Sequence, residues 1–413
     1  MKTRIAHAII FLLFLYWATS PNIKGAANAL LFLLFILSAA FWQEMKNANL
    51  RHWALLLALP FLFTLFQKLF IFPDLKPNVF DAPSRFLLAS ACIFAFYQTP
   101  AQQLARALFG VLLGAIGLGV WAYVSTHFEA FFWLKGERAW NGFSNPIPFG
   151  LLATIFAMMA INLPHAFFSI IPQKVFWTLK IIAFSAGLYA AYASLSRTAL
   201  LVLPFLAMIL IFQNFQQSKK IAAGIVVFGV LLVGGLLSID NPYQDRVLYG
   251  FKEIQNFEKN PYTSMGQRFL LWQNALKTIQ KEPVWGLGKG GFVEKMIQRQ
   301  KMGLPLPPGT SPSHPHSEYF NAAVEYGLPG LLMLLALYFV PLGFFLKHLK
   351  NNNQIIRFAA ANGAIITSSF ALAGTLDTFF WITNQTTFYA LSVALFVAMI
   401  LQVENQAKQK TAT

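Results

Sequence analysis

Apolar runs of close to 20 residues recur from one end of this chain to the other, and that repetition constrains its fold more than any other feature. A hydrocarbon core about 30 Å thick is crossed by about 20 helical residues, and every backbone polar group inside it must be satisfied within the segment. Only helices or a closed barrel meet that requirement, and runs of this length and continuity point to helices. A soluble helical protein would instead carry amphipathic stripes. Charged residues make up 11% of the 413 residues against 57% hydrophobic ones, too few to cover a wet surface.

The expected fold is therefore all-α, a polytopic membrane protein with about 12 transmembrane helices and one long, partly helical periplasmic loop. The spans are read at roughly 6–20, 26–42, 53–71, 86–98, 103–124, 146–163, 175–194, 199–213, 221–238, 327–346, 356–375 and 385–403. Lys2 and Arg4 precede the first apolar stretch as in a signal peptide. No small-residue cleavage site follows, and a second span begins at once, so an uncleaved first helix is expected. The organisation is then helices 1–9 over 1–238, a periplasmic loop over 239–315, helices 10–12 over 316–403 and a cytoplasmic tail over 404–413.

An even number of spans puts both termini on one side, and charge chooses that side. With cytoplasmic termini, thirteen basic residues fall in short cytoplasmic segments: Lys2, Arg4, Lys46, Arg51, Arg106, Lys174, Lys219, Lys220, Lys347, Lys350, Arg357, Lys408 and Lys410. Six fall in the short loops opposite: Lys24, Lys76, Arg85, Lys135, Arg138 and Arg197. This positive-inside bias also accounts for the net charge of +16 without nucleic acid, because the cations are spread between apolar runs rather than gathered in a binding stripe. The single cysteine, Cys92, excludes an internal disulfide and a cysteine-based metal site.

The insertion at 239–315 breaks the pattern, and loops this long are usually functional or disordered. Phe269, Trp272, Leu276 and Ile279 fall on one helical face, and Pro283 ends that run. The loop is expected to fold.

Four polar segments gather on the outer face of this topology. They are Arg138–Pro146, Ser194–Thr198, Gly266–Trp272, and His314–Asn321 followed by Glu325-Tyr-Gly327-Leu-Pro-Gly330. Arg197 sits in a very short connection near the membrane boundary. It reads either as a snorkelling interfacial arginine or as a phosphate ligand, for which its planar fork is suited. Arg268 and Arg138, taken alone, read equally as solvated surface charges. His314 and His316 flank a proline just before a helix start. Without further cysteine, histidine or paired carboxylate ligands a metal site is not expected. A neutral imidazole at a helix N-terminus is a candidate general base, and a satisfied structural histidine is the plainer alternative. Two further features are set aside: Gly286-Leu-Gly288-Lys289-Gly290-Gly291 as a flexible turn without a phosphate-loop ending, and Asp377 as a helix cap.

Taken together, the ordered set of Gly-Phe-Ser-Asn145-Pro146, Ser196-Arg197-Thr198, Arg268 with Trp272 and the following Pro-Val-Trp-Gly-Leu-Gly, and His316-Ser-Glu-Tyr-Phe with Glu325-Tyr-Gly resembles the O-antigen ligase/polymerase superfamily. The resemblance covers roughly 138–330, and the hydropathy pattern extends it along the chain. Ser317 departs from it, since many relatives carry asparagine after the histidine.

The resemblance implies an inverting, metal-independent glycosyltransferase of the bacterial inner membrane with a periplasmic active site and no cofactor. Its donor would be an undecaprenyl-diphosphate-linked glycan and its acceptor a hydroxyl of lipid A-core, with membrane lipids as its surroundings. His316 would be the base and His314 the reserve; Arg197 and Arg268, with Arg138 behind them, would bind the donor diphosphate. An O-linked protein oligosaccharyltransferase or an O-antigen polymerase would use the same donor. A transporter or flippase is the reading from another class, disfavoured because the mid-span regions hold almost no ionisable groups beyond Lys68 and Lys180.

Overall fold

In a computed structural model, the structure describes residues 8–15, 47–128, 138–141, 144–215, 242–260, 262–302 and 314–412, with a few positions between 219 and 227. Among these residues every regular element is helical. After a short helical stretch at 8–15 come α1 (Ala48–Phe66), α2 (Asp81–Gln98), α3 (Ala101–Ala107), α4 (Phe109–His127), α5 (Pro146–Asn162), α6 (Gln173–Ala193) and α7 (Arg197–Phe215). The rest are α8 (Pro242–Gln255), α9 (Ser264–Lys281), α10 (Gly291–Lys301), α11 (Glu318–His348), α12 (Gln354–Ala373) and α13 (Thr383–Ala412).

Eight helical segments among the described residues are long and apolar enough to cross a membrane, and Pro146–Asn162 is a shorter apolar helix. The chain is an all-α polytopic membrane protein. The expected span at 26–42, nearly all of 221–238 and part of 6–20 lie outside the described residues.

α12 and α13 form the centre and are buried along most of their apolar length. α13 packs on α2, α12 on α11 and α7, and α6 on α4 and α5. Small residues set these approaches: a Cβ on Gly187 of α6 would lie 2.9 Å from Ala157 Cβ of α5, and one on Gly119 of α4 would lie 2.7 Å from Ala186 Cβ. Association inside a membrane depends on such close backbone contact, since lipid tails are as apolar as the helices.

Boundaries move where polar side chains start or stop a helix. The tenth expected span, read from 327, begins nine residues earlier at Glu318; Gly327, at φ 71°, breaks it internally. α13 continues beyond 403 to Ala412. In the 239–315 segment the expected helix is present as α9, capped by Thr263 accepting from Gly266 N–H and ended before Pro283. Its buried face is rotated from the expected one. Leu271, Ala275 and Thr278 face inward, whereas Leu276 is 48% exposed. Leu271 and Ala275 pack with Phe292 and Met296 of α10 and Val324 of α11 into a small core separate from the main one.

Candidate functional site

The α6–α7 connection is three residues long, and Leu195 takes φ 48° within it. That strained turn delivers Arg197 as the first residue of α7. The segment from Arg138 is sewn to the turn: Ala139 N–H donates to Ala193 O at 2.9 Å, and Arg138 Nε donates to Ser194 O at 2.9 Å. Asn145 caps α5 by accepting from Ile147 N–H, and Gly150 sits so close to Ser194 that a Cβ would lie 2.3 Å from its Oγ.

Arg197 Nη1 donates to Glu253 Oε2 of α8 at 3.3 Å. The other oxygen of Glu253 accepts from Ser264 N–H at 3.3 Å, so this buried carboxylate ties α7 and α8 to the start of α9. One turn on, Arg268 donates from Nε to Leu376 O at 3.2 Å, reaching the α12–α13 connection. Burial lowers the Arg268 pKa and Arg197 acts in the same sense, while Asp377 and Glu253 oppose them. A half-desolvated guanidinium near a second cation is suited to a polyanionic ligand.

The histidine pair lies against the same connection. His316 Nδ1 is 3.0 Å from Asp377 Oδ1, and His314 Nδ1 is 3.9 Å from that oxygen. Asp377 also accepts from Thr378 N–H. Although burial would raise its pKa, the His316 contact brings it below the ordinary value, so it is a carboxylate. The hydrogen bond then requires His316 Nδ1 to donate, which leaves Nε2 as its basic nitrogen. His314 is different. Its Nδ1 accepts from His316 N–H at 3.2 Å, so the neutral ring carries its proton on Nε2. Burial, with His316 and Arg268 acting in the same sense, lowers its pKa to about 4 despite Asp377. The side chain of His316 is 36% exposed, against 8% for His314.

Asp377 corrects the sequence reading. It follows the end of α12 at Ala373 and receives a histidine, where a helix cap was expected. Glu318 lies in the fourth polar segment of the sequence, which assigns it no partner. Its carboxylate accepts from Phe379 N–H and from Phe380 N–H at 2.9 Å, and its own N–H donates to Gly374 O at 2.8 Å. The first residue of α11 thereby clasps the loop that carries Asp377. The glycine-rich segment is also not a loose turn. Lys289 Nζ is 2.8 Å from Glu325 Oε2, and Gly290 N–H donates to Glu325 Oε1 at 2.8 Å. The partners of residues 289, 318 and 377 lie 36 to 62 positions away in sequence, which is why only the fold discloses the contacts.

The ligand atoms of His314, His316 and Asp377 lie within 4.8 Å of one another, close enough to hold a metal ion as well as to move a proton. All five residues singled out earlier (Arg138, Arg197, Arg268, His314 and His316) lie around one end of the helix bundle, linked through Glu253, Asp377 and the α6–α7 turn.

Residues 182–335 match the O-antigen ligase family model. The matched segment contains Arg197, Arg268, His314 and His316; Arg138 and Asp377 fall outside it. The match supports the O-antigen ligase superfamily and, with it, membrane glycosyl transfer of the ligase or polymerase type. The chain is also similar to an uncharacterized protein of Haemophilus influenzae, 24% identical over 327 residues that cover 77% of this chain and 78% of the relative.

Proposed function

We propose that this O-antigen ligase family protein transfers a glycan from undecaprenyl diphosphate to a hydroxyl of lipid A-core, with inversion and without a metal ion. The observation that carries the reading is the His316–Asp377 contact at 3.0 Å, set beside Arg268 and Arg197. The acceptor hydroxyl loses its proton to His316 Nε2 while its oxygen attacks the anomeric carbon. The bond from that carbon to the diphosphate oxygen breaks on the opposite face, and the lipid diphosphate departs with the bonding pair. Asp377 orients the ring and stabilises the imidazolium that forms. Arg197 and Arg268 offset the charge that grows on the leaving group. Arg138, bound to the Ser194 carbonyl, holds the turn that presents Arg197. His314 shapes the backbone at His316, whose φ is 52°.

The thirteen-to-six distribution of basic residues supports a bacterial inner-membrane protein with cytoplasmic termini. On that topology the 239–315 segment is periplasmic, between helices of 1–238 and helices of 316–403, and 404–413 is the cytoplasmic end. The transferring face is then periplasmic. A protein hydroxyl or a second lipid-linked glycan would use the same base and cations, so the acceptor is decided by product.

Deletion of the gene, followed by gels of lipopolysaccharide and glycoproteins, tests the reading. Loss of capped lipopolysaccharide with accumulation of the lipid-linked glycan is expected. Unchanged lipopolysaccharide with loss of a glycoprotein would replace the ligase with the protein-directed enzyme. Unchanged lipopolysaccharide and glycoproteins would remove both.

A further inference from the structure

The break in α11 has a specific consequence for hydrogen bonding. In an unbroken helix, Leu328 N–H would donate to Val324 O, four residues back. Here Gly327 turns the chain at φ 71°, and Leu328 N–H donates instead to Pro283 O at 2.8 Å. The vacated Val324 O accepts from Leu287 N–H at 2.8 Å. One bond within the helix has become two bonds between segments. A Cβ on Gly327 would lie 2.1 Å from Val284 O, and one on Gly286 would lie 2.4 Å from Val324 O, so both glycines permit the approach. Gln67, in the π-helical stretch Gln67–Ile71, donates to Trp285 O and Glu325 O at 2.9 and 3.0 Å.

Across this junction, Glu325 accepts from Lys289, from Gly290 N–H and from Asn321 Nδ2 at 3.2 Å. Burial alone would lower the Lys289 pKa, yet Glu325, with Tyr326 and Glu318, raises it above its ordinary value. A buried ion pair of this kind adds little net stability but is costly to half-remove, and it specifies one arrangement of the segments it joins.

We propose that Lys289 and Glu325 form a latch that fixes the α9–α10 unit, and with it Arg268, against the first half of α11, at whose entrance His316 stands. Lys289 is a positioning residue for glycosyl transfer, and this inference rests on the function proposed above. The latch joins the segment carrying the leaving-group cation to the segment carrying the base, so loosening it misaligns the two without removing either.

The test pairs kinetics with a distance measurement on the full-length protein in proteoliposomes. Because a misplacement of about 1 Å can cost on the order of 100-fold, Lys289→Met is expected to lower kcat roughly 10- to 100-fold with donor KM nearly unchanged. Lys289→Arg, which keeps the cation, restores most of the rate. In an Arg268→Ala background, Lys289→Met costs little more, since there is no guanidinium left to misalign. Spin labels at Lys277→Cys and Asp81→Cys, both exposed, in a Cys92→Ala background report one narrow distance that Lys289→Met broadens. A narrow distance in Lys289→Met, or a full additional loss in the Arg268→Ala background, would overturn the latch. Wild-type rates in both Arg268→Ala and His316→Ala, with the distance still broadened by Lys289→Met, would overturn the site while keeping the latch.

Discussion

His316 Nδ1 stands 3.0 Å from Asp377 Oδ1, joining the start of α11 to the connection between α12 and α13, 61 residues away in sequence. A buried carboxylate receiving an imidazole N–H fixes the ring's tautomer and leaves Nε2 as the basic nitrogen, the atom proposed to meet the acceptor hydroxyl. Asp377→Asn should therefore behave as a tautomer defect. The variant should fold normally and lose about 100- to 10,000-fold in kcat, the scale expected when the orienting carboxylate of a histidine base is replaced. Transfer kinetics together with thermal unfolding check this; near-wild-type kcat would remove Asp377 from the mechanism.

Arg197 and Arg268 are asked to stabilise developing charge, so their loss should fall on kcat. Replacing either with alanine should cost on the order of 100- to 1,000-fold. Lysine in place of either should recover only part of the rate, because a point charge cannot offer a planar fork. Steady-state kinetics with varied lipid-linked donor separates this outcome from a pure rise in KM.

His314 makes stability depend on pH. Its pKa is about 4 in the folded protein against an ordinary 6.5, so the unfolded chain binds more protons between those values. Stability should fall as pH falls through that window, by about 3 kcal/mol at its lower end, and be unaffected by this group above pH 7. Asp377, whose pKa is lowered, acts in the same direction at still lower pH. Thermal midpoints in detergent should drop more between pH 7 and pH 4 for the wild type than for His314→Gln. Parallel curves would refute the assignment.

The metal-independent reading predicts that prolonged chelation leaves the transfer rate unchanged. The His314–His316–Asp377 group has a spacing that a metal could use, which makes this a direct test. Loss of activity on chelation with recovery on adding one divalent ion would convert the trio from a base with its supporting residues to a metal centre.

Gly286→Ala and Gly327→Ala each force a Cβ into a carbonyl oxygen at a left-handed backbone position. Each should destabilise by about 1–3 kcal/mol or more, read as a lower thermal midpoint. Gly343→Ala, where a Cβ would meet open space, should be neutral by the same measurement.

Much of this was legible in the sequence, and the reasons differ by element. The spans follow from apolar length alone, since the bilayer admits few solutions. Arg197 was legible because a cation in so short a loop needs an explanation. The buried face of α9 was misjudged by one position because the aromatic residues Phe269 and Trp272 outweighed Leu271 and Ala275 in the periodicity, while the small core below favours the latter. The contacts that Asp377, Glu318 and Lys289 make at the candidate site were not legible. Each residue acts through a partner between 36 and 62 residues distant, and no local pattern encodes such a meeting. The tenth span began too late because Glu318, Asn321 and Glu325 make the first turns of α11 polar; they are buried against the loop segments rather than facing lipid.

In the proposed glycosyl transfer His316 takes the proton from the acceptor. The initial rate of transfer from a lipid-diphosphate-linked glycan to lipid A-core, measured for purified wild type and His316→Ala in proteoliposomes, tests it most directly. Product is expected with the wild type, and a loss of at least about 100-fold in His316→Ala at an unchanged thermal midpoint. A His316→Ala rate equal to that of the wild type would contradict it.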